Sequence, residues 1–390
     1  MHYVLIGNSL VSVKIAEELR QADPEGEITL FCPEGVLPYQ RHLLPSLLVD
    51  PKTDKIACAS EDFYKANRIQ VVTDKKIAKV HPKRKRILTE DKEHIPFDVL
   101  FLEHKGAPVF SDLKGSQKQG VFHLKTFSDA QKLSAYLGLC ETATIEIHDI
   151  AALQAACHLH KLNKNVIALV PGGHLLSDLI DKDVADHLTE QLQRSGMRFI
   201  FNNAIVEVLG DSEVKAIRLK TGKVLESQLV LLAPAGHGSE LLNTEELSKE
   251  ETDHCLRYED VYCAKDLKAV LDRFVWDDAL IDQYALTAHA KNIVASFLHR
   301  EPTAITAPAE RSVIIGEESL CLLGSCKKEE AAVAYMKADY AKNMYAKVFV
   351  QDGIVKGAAL INAPAARDGL LGLIRAKANI ADQGIGILGL

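Results

Sequence analysis

The spacing of hydrophobic positions changes twice within the first 31 residues. A short apolar run at residues 4–6 predicts a strand, and apolar positions three and four apart over residues 10–19 predict a helix. Another short apolar run at residues 28–31 predicts a second strand. This order of elements indicates a βαβ unit with parallel strands.

The same order returns in the middle of the chain, where we predict a strand at residues 144–147, a helix at 151–162 and a strand at 165–170. Further predicted elements extend this second unit: a helix at 183–195 and strands at 198–201, 205–208, 214–219 and 229–232. Parallel strands joined by helices imply doubly wound sheets that bind ligands at the carboxyl ends of their strands.

Beyond residue 307 the pattern changes to short strands at 313–315 and 320–323, a helix, and a hairpin over 348–360 that turns at Asp352-Gly353. This segment predicts a separate module. The expected fold class is therefore α/β, with two Rossmann-like βαβ domains plus a C-terminal α+β domain.

Composition excludes several classes of function. A length of 390 residues predicts two or three domains, and a formal charge of -7 argues against a nucleic-acid or anionic-membrane binder. The basic run at residues 83–86 lies between two strand-like segments, so we expect a solvated hairpin tip. Without a signal-like start or an apolar run of membrane-spanning length, we expect a cytoplasmic protein with no membrane insertion.

The first strand leads into a turn that keeps part of a nucleotide-binding fingerprint. Gly7, Ser9 and Ser12 stand where a GxGxxG motif has its three glycines, so only the first glycine is kept. The Ser9 hydroxyl and the helix N-terminus could still serve an anion. Phosphate binding and a plain strand-to-helix turn are equal alternatives on these residues.

Residues 37–44, LPYQRHLL, resemble a stretch that reads LPYxRxxL in FAD-dependent pyridine nucleotide reductases, in the branch with NADH:rubredoxin reductase and the reductase region of assimilatory nitrite reductases. The resemblance implies that Arg41 and Leu44 face the flavin side of an FAD site. It also implies that Glu34 holds the adenosine ribose, if the loop is shifted by one residue. The alternative for Arg41 is a loop arginine paired with a surface carboxylate.

Two later segments carry the resemblance further. Residues 97–106 stand where the family has YDxLLLATGA, but Glu103, His104 and Lys105 replace the Ala-Thr-Gly turn. Residues 258–266 resemble the family's VYAAGD element, which implies that Asp266 contacts the FAD ribitol or pyrophosphate, although Lys265 replaces the preceding glycine. The resemblance divides the chain into three domains: FAD-type (1–107 with 229–306), NAD-type (108–228) and a C-terminal interface-like domain (307–390).

The second βαβ unit lacks the fingerprint glycines. Ile147, Asp149 and Ala152 stand in their places, and a carboxylate at this turn would repel phosphates. We therefore expect no NAD(P) binding in the usual mode and assign Asp149 to capping the helix. The cysteines that some relatives use for redox chemistry are missing from the corresponding positions, and Cys157, His158 and His160 do not share one helix face. No catalytic residue and no metal ligand is assigned.

These expectations favour a divergent protein of the reductase fold that does not use NAD(P)H directly. It would act as an electron-relay or structural subunit, with FAD either retained or lost, beside a redox protein or within a larger complex. One alternative is an active FAD-dependent NAD(P)H oxidoreductase that reduces a rubredoxin-like carrier. The other is a small-ligand binding module. The sequence does not decide whether the chain is an enzyme.

Overall fold

A computed structural model describes residues 1–103, 108–109, 113–232, 236–237, 241, 249–265, 283–305, 310–326 and 333–380. Up to residue 103 the elements are β1 (His2–Ile6), α1 (Leu10–Ala22), β2 (Glu27–Phe31), a 3₁₀ helix (Arg41–Leu48), α2 (Glu61–Ala66), β3 (Ile69–Val72), β4 (Ile77–His81), β5 (Arg86–Thr89), β6 (His94–Pro96) and β7 (Val99–Leu102). These elements include the predicted first βαβ unit.

The middle part contains β8 (Pro108–Val109), β9 (Val121–Phe122), α3 (Phe127–Tyr136), β10 (Thr142–Glu146), α4 (Ile150–Lys161), β11 (Asn165–Val170), α5 (Lys182–Arg194), β12 (Arg198–Phe201), β13 (Ile205–Leu209), β14 (Ala216–Leu219), β15 (Val224–Glu226) and β16 (Leu229–Leu231). The chain then forms β17 (Gly236–His237), β18 (Lys249–Glu251), β19 (Cys255–Tyr258), β20 (Val261–Ala264) and α6 (Gln283–Phe297). The last part contains β21 (Glu310–Ile315), β22 (Glu318–Gly324), β23 (Val333–Asp339), β24 (Met344–Gln351), β25 (Ile354–Ile361) and α7 (Pro364–Ala376).

The first sheet has the strand order β18-β19-β20-β7-β1-β2-β3, and β1 pairs in parallel with both β2 and β7. From β1 the chain passes through α1 to β2 on one side, whereas β7 lies on the other side. The carboxyl ends of β1 and β7 therefore form the switch point at which such sheets bind ligands. The apolar faces of α1 and α6 pack on one side of this sheet, and the small sheet β4-β5-β6 covers the other.

The second sheet has the order β12-β11-β10-β16-β9, with all pairs parallel. It confirms the second predicted βαβ unit. Because β16 pairs with β10, residues 229–231 belong to this sheet, as expected for a strand that extends the second unit, although the division into domains assigned them to the FAD-type segment. The three-domain division otherwise stays a prediction.

The C-terminal module is an antiparallel sheet of order β21-β22-β25-β24-β23 with α7 on one face. Its β24–β25 hairpin turns at Asp352 and Gly353, both with positive φ, as predicted. The helix predicted before this hairpin is wrong for residues 333–339, which form β23. There, pairing of the whole of β23 with β24 outweighs the helix propensity of an alanine-containing segment.

Apolar residues of the second sheet, α4 and α5 form one continuous core with the inner face of the C-terminal sheet, including Ile315, Leu322 and Phe349. The basic run at residues 83–86 forms a 3₁₀ turn (Pro82–Arg84) between β4 and β5, as predicted. No helix in the described part of the chain is long and apolar enough to cross a membrane.

Candidate functional site

The turn between β1 and α1 is closed by side chains of the chain itself. The Ser9 hydroxyl caps α1 and accepts a hydrogen bond from the Val11 N–H at 3.0 Å. The hydroxyl of buried Ser12, in the first turn of α1, donates to Glu103 Oε2 at 2.8 Å. A Cβ atom built at Gly7 would collide with the Ser12 hydroxyl and with the same carboxylate oxygen. The space beside the first fingerprint glycine is therefore filled by Ser12 and Glu103.

Glu34 and Arg41, both predicted to contact FAD, contact each other. Arg41 lies 2.9 Å from Glu34 Oε1, and the Tyr39 hydroxyl donates to Glu34 Oε2 at 2.6 Å. The Phe127 N–H, at the start of α3, donates to the same oxygen at 2.9 Å. The Glu34 side chain is only 9% exposed. This nearly buried carboxylate therefore connects the segment after β2 to the start of α3.

Burial of the Tyr39 hydroxyl raises its pKa far above the usual value, and the negative charge of Glu34 raises it further. Tyr39 therefore stays protonated and serves as a hydrogen-bond donor. A cavity of about 320 Å³ opens beside it, with walls that include Gly35, Ile56, Thr73 and Phe127. This volume is at the lower end of the range for small-molecule sites.

Leu44 is 2% exposed and packs with Tyr39, Leu47 and Phe127 in a small core cluster. Its 3₁₀ helix lies against α3 and α4. A hydrogen bond of 2.7 Å joins the ring of His158 on α4 to the Pro45 carbonyl. The stretch resembling LPYxRxxL is thus an element of domain packing in this structure, and its roles toward FAD stay a prediction.

The turn between β10 and α4 is also closed by a carboxylate. Asp149 Oδ1 accepts the Ala152 N–H at 2.7 Å, which confirms the predicted helix cap. Ile147 is 4% exposed and fills the turn. Next to it, the His148 ring lies 3.3 Å from Glu146, and this hydrogen bond raises the pKa of His148.

The third predicted FAD element is described only in part. Asp266 lies outside the described residues, whereas Lys265 forms an ion pair of 2.7 Å with Glu251. The Lys265 carbonyl accepts a hydrogen bond from His289 on α6 at 3.0 Å. His289 in turn lies 3.3 Å from His254, ring nitrogen to ring nitrogen, and both rings are buried.

Two residues of this region were not assigned from the sequence. Glu103 stood out as a departure from the family pattern, but the pattern does not show that its side chain turns back over Gly7. Phe127 lies 93 positions from Glu34 in the sequence. Its contribution is a backbone N–H, which every residue except proline has, so its residue type does not reveal the contact. Among the described residues there is no group of His, Cys, Asp and Glu that could hold a metal ion.

The FAD implied by the resemblance can be tested against these contacts. An FAD pyrophosphate needs close approach to the backbone at the second fingerprint position and the N–H groups of the first helical turn. In this chain the second position is Ser9, whose hydroxyl accepts the Val11 N–H, and the Glu103 carboxylate lies beside the same turn. The residues as arranged do not fit the pyrophosphate.

Comparison with known proteins gives consistent results. A family model described as pyridine nucleotide-disulphide oxidoreductase matches residues 1–250. Nitrite reductase [NAD(P)H] of Bacillus subtilis is 29% identical over 232 residues, which are 59% of this chain and 29% of that protein. The assimilatory nitrate reductase electron transfer subunit of the same organism is 25% identical over 59% of this chain and 30% of its own length. The chain thus spans less than a third of these two relatives.

The fold has solved counterparts. The ferredoxin reductase for the CYP199A2 system from Rhodopseudomonas palustris superimposes with a TM-score of 0.80 at 16% identity, over 99% of this chain and 98% of that one. NADH:rubredoxin oxidoreductase from Clostridium acetobutylicum gives 0.72 at 16% identity, over 98% and 97%. Several of these names include NAD(P)H or NADH, so they lend no support to a loss of nicotinamide binding. The chain belongs to the pyridine nucleotide-disulphide oxidoreductase family and has the fold of its flavoprotein reductases.

Proposed function

We propose that this chain is a non-catalytic subunit of a redox complex, in which the reductase fold is kept as a scaffold and NAD(P)H is not bound. The observation that carries the proposal is the cap of α4. The Asp149 carboxylate accepts the Ala152 N–H, in the turn where a dinucleotide's phosphates would accept such donors. Asp149 is exposed to solvent, and its negative charge at this turn disfavours a phosphate.

The outer contacts of α4 support a scaffolding role. One end of the helix is tied to the first domain through His158 and the Pro45 carbonyl. Nearer its start, the Gln154 side-chain amide donates to the Ile314 carbonyl of β21 at 2.9 Å. The helix thereby contacts all three parts of the chain through hydrogen bonds from His158 and Gln154.

The names of relatives support association with other redox proteins. One Bacillus subtilis relative is named an electron transfer subunit, and one structural counterpart is a covalent complex of putidaredoxin reductase with putidaredoxin. By this analogy the partner is an iron–sulfur or rubredoxin-like carrier, or a larger complex that contains one. The C-terminal module is the proposed docking surface.

The test is a titration of the natively purified chain with NADH and NADPH, followed by nicotinamide fluorescence. We expect no saturable binding of either nucleotide. The matched variant is Asp149→Asn, which keeps a capping oxygen and removes the charge. Saturable binding to the unaltered chain, or bleaching of a copurified flavin by NADH, would show an active reductase, the function that the relatives' names favour.

A further inference from the structure

The carboxylate of Glu103 lies at the ligand-binding position of the first sheet. Glu103 follows β7 directly, and its N–H donates to the Ile6 carbonyl at the end of β1 at 3.0 Å. This hydrogen bond places its backbone at the switch point between β1 and β7, where open α/β sheets bind their ligands. The backbone position of Glu103 is thus fixed by its hydrogen bond to β1.

From that position the side chain turns toward α1. Its Oε2 accepts the Ser12 hydroxyl at 2.8 Å, and the same oxygen lies over Gly7. The N-terminus of a helix carries a partial positive charge that stabilises a nearby anion. The Glu103 carboxylate therefore places negative charge beside the first turn of α1, as a phosphate group would, and the hydrogen bond it accepts there comes from the Ser12 hydroxyl.

The surroundings are unfavourable for a second anion. The pKa of the Cys32 thiol is raised to about 12, mainly by burial and to a smaller extent by the negative charges of Glu103 and Glu34. The pKa of Cys58 is also raised to about 12, first by burial and then by Glu103. The nearby Arg41 guanidinium is ion-paired with Glu34. A pyrophosphate would enter a buried region that already contains the Glu103 carboxylate.

We infer that Glu103 is a built-in replacement for the phosphate of a dinucleotide, so that the FAD-type turn is closed by the chain itself. Gly7 is then kept because Ser12 and Glu103 need the space beside it, and its presence does not indicate a bound cofactor. This inference concerns the FAD-type half and does not depend on whether NAD(P)H binds at the second turn.

The test measures binding of ADP and of FAD by isothermal titration calorimetry to the full chain. Glu103→Ala frees the space and removes the charge, and we expect ADP to bind at least about tenfold more tightly than to the unaltered chain. Glu103→Gln keeps the volume and an acceptor for Ser12 but removes the charge, so its gain should be smaller. Glu90→Ala removes an exposed glutamate elsewhere in the same domain and should change nothing.

Circular dichroism melting of each variant checks its folding, and Glu103→Gln keeps the test available if the alanine variant does not fold. Tight FAD binding by the unaltered chain would overturn the inference. So would undetectable ADP binding by both folded Glu103 variants. A gain in ADP binding limited to the Glu103 variants supports it, and this result is independent of the nicotinamide titration.

Discussion

Replacing Glu34 with alanine should loosen the contact between the first two domains. The Tyr39 hydroxyl would lose its acceptor, and the Phe127 N–H would keep only the Tyr39 oxygen, at 3.0 Å. Arg41 would lose its carboxylate, but this arginine is 37% exposed, so that ion pair contributes little. The main loss is the hydrogen bonding of two buried donors.

A hydrogen bond to a charged group contributes about 1.5 to 3 kcal/mol, and an unsatisfied buried hydroxyl costs about 1 to 3 kcal/mol. Because Phe127 keeps one acceptor, we expect Glu34→Ala to lower the free energy of unfolding by about 2 to 4 kcal/mol. Glu34→Gln retains a carbonyl oxygen for both donors and should cost about 1 kcal/mol. The alanine variant should therefore be clearly less stable than the glutamine variant.

The assay is urea unfolding of both variants, with Tyr39→Phe completing a double-mutant cycle. Coupling between Glu34 and Tyr39 should be about 1 to 2 kcal/mol. Hydrogen exchange at the Phe127 amide should accelerate in Glu34→Ala. If the alanine variant matches the unaltered chain in stability but loses FAD affinity, Glu34 is a ribose ligand as the sequence suggested, and its role in holding the two domains together is refuted.

Three further results are expected. Burial lowers the pKa of His254, so the folded chain disfavours the protonated ring. The free energy of unfolding should therefore be at its full value above the usual histidine pKa of about 6.5 and should fall below that pH. In urea unfolding at several pH values, His254→Gln should reduce this loss. Lys347 on β24 is 3% exposed and pairs with Asp181 and Asp183 at 2.9 and 2.8 Å. In the same assay, Lys347→Met should lower the free energy of unfolding by about 2 to 3 kcal/mol, which is less than for a fully buried pair because Asp183 is exposed. Asp149→Ala removes the cap of α4 and should cost about 1 kcal/mol, whereas Asp149→Asn should be nearly neutral; equal losses would argue against capping.

The parallel parts of the fold could be predicted from the sequence because their strands are short apolar runs between polar residues. β11 and β12 begin and end where the pattern placed them. β23 could not be predicted in this way. It is an edge strand with mixed exposure. Its conformation is set by pairing with β24, and such a long-range contact cannot be read from the propensities of the residues within the segment.

The sequence marked candidate positions whose roles toward FAD stay predictions, and it did not indicate the contacts that these residues make. The sequence marked Gly7, Glu34 and Arg41 by comparison with a family pattern, and the structure places all three in one region. The alternative interpretation of the sequence gave Arg41 a surface carboxylate as its partner, but it did not indicate that this partner is the nearly buried Glu34, because the path of the chain between them is set by packing against α3. A motif therefore locates a residue in the backbone, whereas the partner of its side chain depends on the surrounding tertiary structure.

The contacts at the starts of α1 and α4 predict that this fold is stable without a ligand. In a dinucleotide-binding protein the first N–H groups of α1 and α4 meet phosphate oxygens, and an empty site leaves them to water. In this chain Ser9 accepts one such N–H at α1 and Asp149 accepts one at α4, while Glu103 supplies negative charge beside the first turn of α1. One N–H group at the start of each helix is thus bound by a side chain of the same chain. A chain with this arrangement should reach its full stability without added FAD or NAD(P)H, and its melting temperature should not rise when either is supplied in excess.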